Sequence, residues 1–246
     1  MKTILVLYFS QSGQLEEIML NLIAPLLQDK TIKCDLRPVK PLSPYPYPWP
    51  LYTFFDSFPE AVGLDGCPVE KLTDLQDYDL IILGYTVWFL SPSIPITGFL
   101  KSPQARALFK NKPVVTVIAC RDMWLIAQEK MKTMLDKLEA RLLDNVVLTD
   151  QGKSLSTFLT TPRWLLTGKK DAFWGLPAAG VSPDEIRAAS RFGERLREAL
   201  AQNREKLGQP LLRNLGAVNV NGKLIASERI AERSFLIWGK ILKKAG

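Results

Sequence analysis

Histidine is absent from the 246 residues. That excludes Ser-His-Asp and Cys-His catalysis and imidazole-based metal sites, so no metal centre is expected. Cysteine is scarce: Cys34, Cys67 and Cys120 are widely spaced, with no CxxC pair, which points to a reducing compartment and away from structural zinc. No apolar run approaches the ~18 residues of a membrane span. Met1-Lys2 leads straight into an apolar strand pattern without the features of a secretion leader, so a cytoplasmic protein is expected. Internal repeats and low-complexity tracts are missing too. Chemistry must then come from carboxylates, Lys, Arg, Tyr, Cys, backbone groups or a cofactor.

What the chain does contain is a strand, a short loop and a helix at its very start. Ile4 to Phe9 is an uncharged apolar run, the pattern of a strand buried on both faces. Ser10-Gln11-Ser12-Gly13-Gln14 interrupts it, and Leu15, Ile18, Leu22 and Leu26 then recur at helical spacing. Free N–H groups at a helix start, with small residues before it, can hold a phosphate. A plain capped turn uses the same residue types.

Further strands are expected at 31–39, 78–85, 114–119 and 145–149, with helices between them. This alternation predicts an α/β fold with a doubly wound parallel sheet of five strands. Between the second and third strands, Pro41 to Phe55 is crowded with prolines and aromatics and is expected to be extended. Its rings either cover a pocket or pack on the core. Residues 86–96 are expected as a loop carrying Trp88 and Phe89, followed by a helix with Phe99 and Leu100. The segment Cys120 to Trp124 follows the fourth strand. Arg121 there either serves an anion or pairs with Asp122, and Cys120 suits a small buried residue. Residues 151–182 read as a lid or wall, in which Lys169 and Lys170 meet a phosphate, an acyl-carrier surface or only solvent. Ser182-Pro183-Asp184-Glu185 marks a helix start, and that helix is expected to run to about 205.

The net charge of +7 sits in the last quarter: from Arg195 onward there are 11 Lys and Arg against 4 Asp and Glu. A basic extension, 207–246, is therefore expected beyond a main domain of 1–206. Within it, Ser227-Glu228 looks like a helix start, and Ile230, Ile237, Trp238, Ile241 and Leu242 form a stripe beside Arg229, Arg233, Lys240 and Lys244. Such a helix, 227–244, docks on the body, meets a dimer mate, or lies on the inner membrane surface. The alternation of cations with an apolar stripe argues against nucleic acid.

Two segments carry a resemblance. Ser10-Gln11-Ser12-Gly13-Gln14-Leu15 resembles the FMN phosphate loop of flavodoxins, with Leu15 where that family usually has Thr, and Gly84 through Phe99 resembles the aromatic ring-binding loop of flavodoxin-like reductases. Over nearly the whole chain, including Tyr8 to Leu15, Phe54 to Glu60, Val87 to Ser93, Val115 to Arg121 and Thr161 to Gly168, the sequence is similar to bacterial flavodoxin-like proteins called dialkylresorcinol condensing enzymes. In that group Leu15 also looks usual.

The resemblance implies a flavodoxin-like fold, FMN as cofactor and NAD(P)H as an electron source. It implies cofactor contacts from Ser10, Gln11, Ser12, Gly13, Gln14, Leu15, Thr86, Val87, Trp88, Phe89, Cys120 and Arg121. Tyr45, Tyr47, Trp49 and Trp124 would line a substrate pocket, and Arg121 would stabilise an enolate or reduced flavin. Condensation of acyl thioesters needs a Cys with His-type partners. The chemistry expected without histidine is instead a two-electron oxidation that aromatises an apolar cyclic diketone, or reduction of a quinone-like substrate. Other classes in view are a flavodoxin-type electron carrier, and a non-catalytic scaffold for a synthase or acyl-carrier protein. A homodimer is expected.

Overall fold

A computed structural model describes residues 1–152 and 154–245; Gly246, the end of the expected extension, lies outside the described residues. The chain runs β1 (Lys2–Tyr8), α1 (Gln14–Leu27), β2 (Ile32–Pro38), α2 (Leu51–Gly63), β3 (Leu80–Trp88), β4 (Ser91–Pro92), α3 (Ile94–Leu100), α4 (Pro103–Phe109), β5 (Pro113–Cys120), α5 (Leu125–Lys137) and β6 (Arg141–Thr149). Then come α6 (Ser154–Thr167), α7 (Pro183–Ala188), α8 (Ser190–Ala201), a 3₁₀ turn (Arg204–Leu207) and α9 (Leu224–Ala245).

The sheet order is β2-β1-β3-β5-β6, all parallel, with the short β4 folded back antiparallel on β3. Counting parallel strands alone, this is the 2-1-3-4-5 order of a flavodoxin-like doubly wound fold. The switch point lies between β1 and β3, from which successive crossovers leave in opposite directions.

Both faces of the sheet are covered, which is why the strands read as unbroken apolar runs. Along β1, Ile4, Val6 and Tyr8 join Leu22, Phe192 and Leu196 in the core under α1 and α8. Leu5, Leu7 and Phe9 face the other way, into a core with Phe99, Phe109, Met131 and Leu135. The period of two along a strand splits one sequence between two cores. Helices α1 and α8 approach closely at Gly193, where a Cβ would stand 1.8 Å from the Leu22 carbonyl oxygen.

Several boundaries differ from the sequence-based expectation. The Pro41–Phe55 segment is extended only as far as Pro50, and α2 begins at Leu51. No proline falls between Leu51 and Phe58, the helix continues despite Pro59, and Phe54, Phe58, Ala61 and Val62 share one side of it. The strand expected at 78–85 continues to Trp88, so Thr86, Val87 and Trp88 belong to β3 rather than to a loop. Phe89 and Leu90, both at positive φ (49° and 57°), turn the chain back into β4. The 151–182 connection contains α6 despite Pro162 inside it. The helix expected from Ser182 to about 205 is broken at Ala189 and ends at Ala201. The Ser182 hydroxyl does cap it, accepting from Glu185 N–H at 3.2 Å.

The boundary expected at 206–207 is not a break in the fold. Leu211, Leu212 and Ala217 are buried in the core with α1 and α8, and Val147 N–H donates to Ala217 O at 2.8 Å. Helix α9 begins three residues before Ser227, after the Asn221–Gly222 turn. It docks on the body by one side. Phe235 meets Phe58 of α2 at 5.2 Å and Phe89 at 6.4 Å, Gly239 sits against Val62 and Pro59, and Lys243 pairs with Asp65. The stripe named from the sequence is not the docked side: Ile230, Ile237, Trp238, Ile241 and Leu242 remain exposed. Among the described residues no helix is long and apolar enough to cross a membrane.

Candidate functional site

At the carboxyl ends of β1, β3, β5 and β6 lies a cavity of about 190 Å³. Its floor and walls are built in sequence order. The turn after β1 supplies Gln11 and Ser12, and the first turn of α1 supplies Gln14 and Leu15. The end of β3 supplies Thr86 to Phe89, and the end of β5 supplies Ala119 to Arg121. Trp49, Phe54, Ser57, Asp150, Thr161, Trp164, Leu165 and Gly180 complete the lining.

The β1–α1 turn is shaped for an anion. Gly13 is the residue before the helix, with φ of 84°, a conformation an L side chain rarely adopts. Ser10 Oγ accepts from Glu16 N–H at 3.2 Å. The N–H groups of Gln14 and Leu15 have no acceptor among the described residues, as expected for the first helical turn. Neither Ser10 nor Gly13 lines the cavity; both set the course of the turn that does. Leu15 is buried, so the position without a hydroxyl contributes its N–H and packing.

Polar side chains of the turn are used to tie neighbouring segments. Gln11 Nε2 donates to Pro46 O at 2.7 Å, and Gln11 Oε1 accepts from Trp49 Nε1 at 2.8 Å. Trp49 N–H in turn donates to Leu165 O at 2.8 Å. The proline-rich segment is thus a strap fastened to the turn on one side and to α6 on the other. Gln14 Oε1 accepts from Val181 N–H at 3.1 Å, and its Nε2 donates to Val181 O at 3.3 Å, which holds the segment before α7.

Aromatic rings dominate the wall. Trp88 touches Phe9, Tyr45 and Trp49 edge-on at 5.8, 5.1 and 5.2 Å between centroids. Phe89 is packed by Phe54 at 4.9 Å and by Phe58 at 5.0 Å. One polar atom in this wall has no partner: Thr86 Oγ1 is buried and makes no hydrogen bond among the described residues. A buried hydroxyl left this way costs about 1–3 kcal/mol, which a ligand atom would recover.

Arg121 and Asp150 also line the cavity. The Arg121 guanidinium lies 3.8 Å over the Phe158 ring and has no carboxylate bonded to it among the described residues. Burial lowers its pKa, opposed by the charges of Asp122 and Asp150. The Asp150 carboxylate accepts from Gly180 N–H at 2.7 Å, Gly152 N–H at 2.8 Å and the Thr161 hydroxyl at 3.4 Å. Burial pushes the Cys120 thiol well above its ordinary range.

The structure therefore gathers Gln11, Ser12, Gln14, Leu15, Thr86, Val87, Trp88, Phe89, Cys120, Arg121 and Trp49 around one space. It leaves three residues expected in the substrate pocket outside the lining. Tyr45 packs behind Trp88 and Trp49. Tyr47 is half-buried on the strap beyond Trp49. Trp124 is buried in the core beneath α5, because the chain turns inward where that helix starts. Asp150, Ser57 and Trp164 were not expected from the sequence. Asp150 directly follows β6, and the rule that ligands sit beyond strand carboxyl ends flags that position. Lys169 and Lys170 are exposed and do not line the cavity.

No protein-family profile and no curated protein sequence matches the chain. Solved structures similar to it include a flavoprotein in complex with FMN from Lactobacillus acidophilus NCFM, at 19% identity over 60% of this chain and 93% of that one, with a TM-score of 0.48. A flavodoxin from the domain Archaea is 10% identical over 81% of this chain and 99% of that one, with a TM-score of 0.47. Oxidised flavodoxin 1 from Bacillus cereus is 14% identical over 80% of this chain and 98% of that one, with a TM-score of 0.44.

Proposed function

We propose that the chain binds FMN and acts as an oxidoreductase on an apolar cyclic substrate, a diketone to be aromatised or a quinone-like ring to be reduced. The observation that carries this is the meeting, at the β1/β3 switch point, of a helix start with free N–H groups and an aromatic-walled cavity with one unsatisfied hydroxyl. FMN supplies the two-electron chemistry when bound. In this reading Ser12 and the N–H groups of Gln14 and Leu15 hold the phosphate. Trp88 and Trp49, in contact with each other, wall the ring on one side, and Thr86 hydrogen-bonds its polar edge. Arg121 places a positive charge where negative charge accumulates on reduction, and the apolar wall excludes water.

The cavity is smaller than the ~300 Å³ at which pockets for drug-sized ligands begin. Entry of a three-ring system therefore lifts the strap, which Gln11 ties by side-chain hydrogen bonds to Pro46 and Trp49. NAD(P)H as reductant, and a place in dialkylresorcinol-type biosynthesis, belong to the same reading on the strength of the sequence resemblance.

The test is the visible absorbance spectrum of the purified chain titrated with FMN, repeated with reduced nicotinamide under anaerobic conditions. Micromolar binding with a perturbed flavin spectrum is expected. A protein that stays colourless after desalting and shows no binding overturns the reading.

A further inference from the structure

Helix α9 carries more apolar surface than its docking uses. Its inward side is settled by Phe235 and Gly239, described above, and by Glu228, whose carboxylate accepts from Ile126 N–H of α5 at 2.9 Å. Opposite Glu228 and Gly239 around the helix fall Ile230, Ile237 and Ile241, 69%, 60% and 48% exposed. Trp238, 56% exposed, borders this stripe on one side. On the other side run Arg229, Arg233, Lys240 and Lys244, all exposed and without an acidic partner among the described residues.

We infer that this outward side of α9 is a docking surface for an anionic lipid bilayer, on which the helix lies flat. A helix of 22 residues is about 33 Å long, and here the body holds it in place before it meets the surface. The apolar stripe with a tryptophan at its edge suits the boundary between acyl chains and headgroups. The adjoining row of cations suits anionic headgroups.

Charge decides against a second copy of the chain. Two such helices packed stripe to stripe and antiparallel would bring both cation rows together; packed parallel, each row would border the partner's Trp238 edge, which carries no acid. The two acids of α9 offer no relief: Glu228 is buried, and Glu232 faces Lys130 at 3.8 Å. The net charge of +7 on the whole chain adds long-range attraction to the same kind of partner.

Co-sedimentation of the full chain with phosphatidylcholine vesicles, with and without about 30% phosphatidylglycerol, tests this. Binding to the anionic vesicles is expected to be at least tenfold tighter than to the neutral ones, and to weaken as salt is raised from about 0.1 to 0.5 M. Two variants on exposed positions separate the contributions: Ile237→Asp with Trp238→Ser, and the set Arg229→Gln, Arg233→Gln, Lys240→Gln and Lys244→Gln. Each is expected to lose most of the binding while keeping the unfolding midpoint of the parent. Failure to sediment with anionic vesicles overturns the inference, as does binding that neither set of substitutions changes. A dimer in solution that Ile237→Asp splits, with no vesicle binding, assigns the surface to a second copy and equally overturns it. So does binding of a soluble acidic acyl-carrier protein with the same dependence on both variants while vesicles do not bind. None of these outcomes touches the flavin titration, so the two readings fail separately.

Discussion

Arg121 and Glu228 illustrate how much single charges are asked to do here. Arg121 rests on Phe158, and among the described residues no carboxylate is bonded to it. In the proposed flavin site it favours the reduced, more negative form. Arg121→Ala should make the two-electron potential of bound FMN more negative by about 30 mV, equivalent to ~1.4 kcal/mol, while Arg121→Lys retains most of it. Spectroelectrochemical titration of the three proteins checks this, and equal potentials would remove Arg121 from the site.

Glu228 acts through structure. Its carboxylate accepts from Ile126 N–H at 2.9 Å and Leu125 N–H at 3.4 Å, closing the start of α5. Burial raises its pKa, and the nearby Asp122 charge adds to that, against the backbone hydrogen bonds. A folded-state pKa above the unfolded value means the native protein takes up the proton first. Glu228 therefore adds stability as pH falls through its folded pKa toward the unfolded one, and this is absent above that window. Urea melts followed downward from neutral pH through the carboxylate range should show a smaller rise, or a steeper fall, for Glu228→Gln than for the parent. Identical slopes would deny the shift.

At the scale of elements, the β3–β4 turn joins the cavity to the tail. Phe89 lies between Phe54 and Phe58 of α2 and Phe235 of α9. Phe235 is only partly buried, so Phe235→Ala should cost about 2–3 kcal/mol, below the range for a fully enclosed ring. Denaturant midpoints measure the loss, and the same variant should weaken FMN binding through a loosened turn. This turn was illegible in the sequence. Two-residue hairpin turns at positive φ normally announce themselves with Gly or Asn, and here the positions hold Phe and Leu. Strands β1, β3 and β5 could be read because burial on both faces leaves long apolar runs. Helix α2 was hidden by the prolines just before it, and α6 by Pro162 within it. Of the cavity, the walls from β1, β3 and β5 were legible from strand ends. Asp150 follows β6, where the same rule applies, and 151–182 could be read as a lid or wall; which of its residues face inward, Thr161, Trp164 and Leu165 among them, could not, since a long connection gives no periodic cue to where it folds back. The tail's apolar stripe was visible, but which side of the helix docks depends on partners in α2 and α5 that a local pattern does not reveal.

For the molecule as a whole, a ligand bound only by the native state adds stability by mass action. FMN at about 100 times its dissociation constant should add ~2.7 kcal/mol, raising the melting temperature by roughly 5–11 °C for a chain of this size. Scanning calorimetry with and without FMN checks this; an unchanged transition would deny a native-state site. Residues 211–217 enter the main core, so the chain should melt as one unit, with no separate event for its last quarter. The distribution of indoles has an optical consequence. Of six tryptophans, Trp49, Trp88 and Trp164 face the cavity. The protein thus carries its own internal lamp beside the place where a light-absorbing ring would rest. Roughly half of its ultraviolet emission should be extinguished as that place fills, so occupancy can be followed in the unlabelled chain.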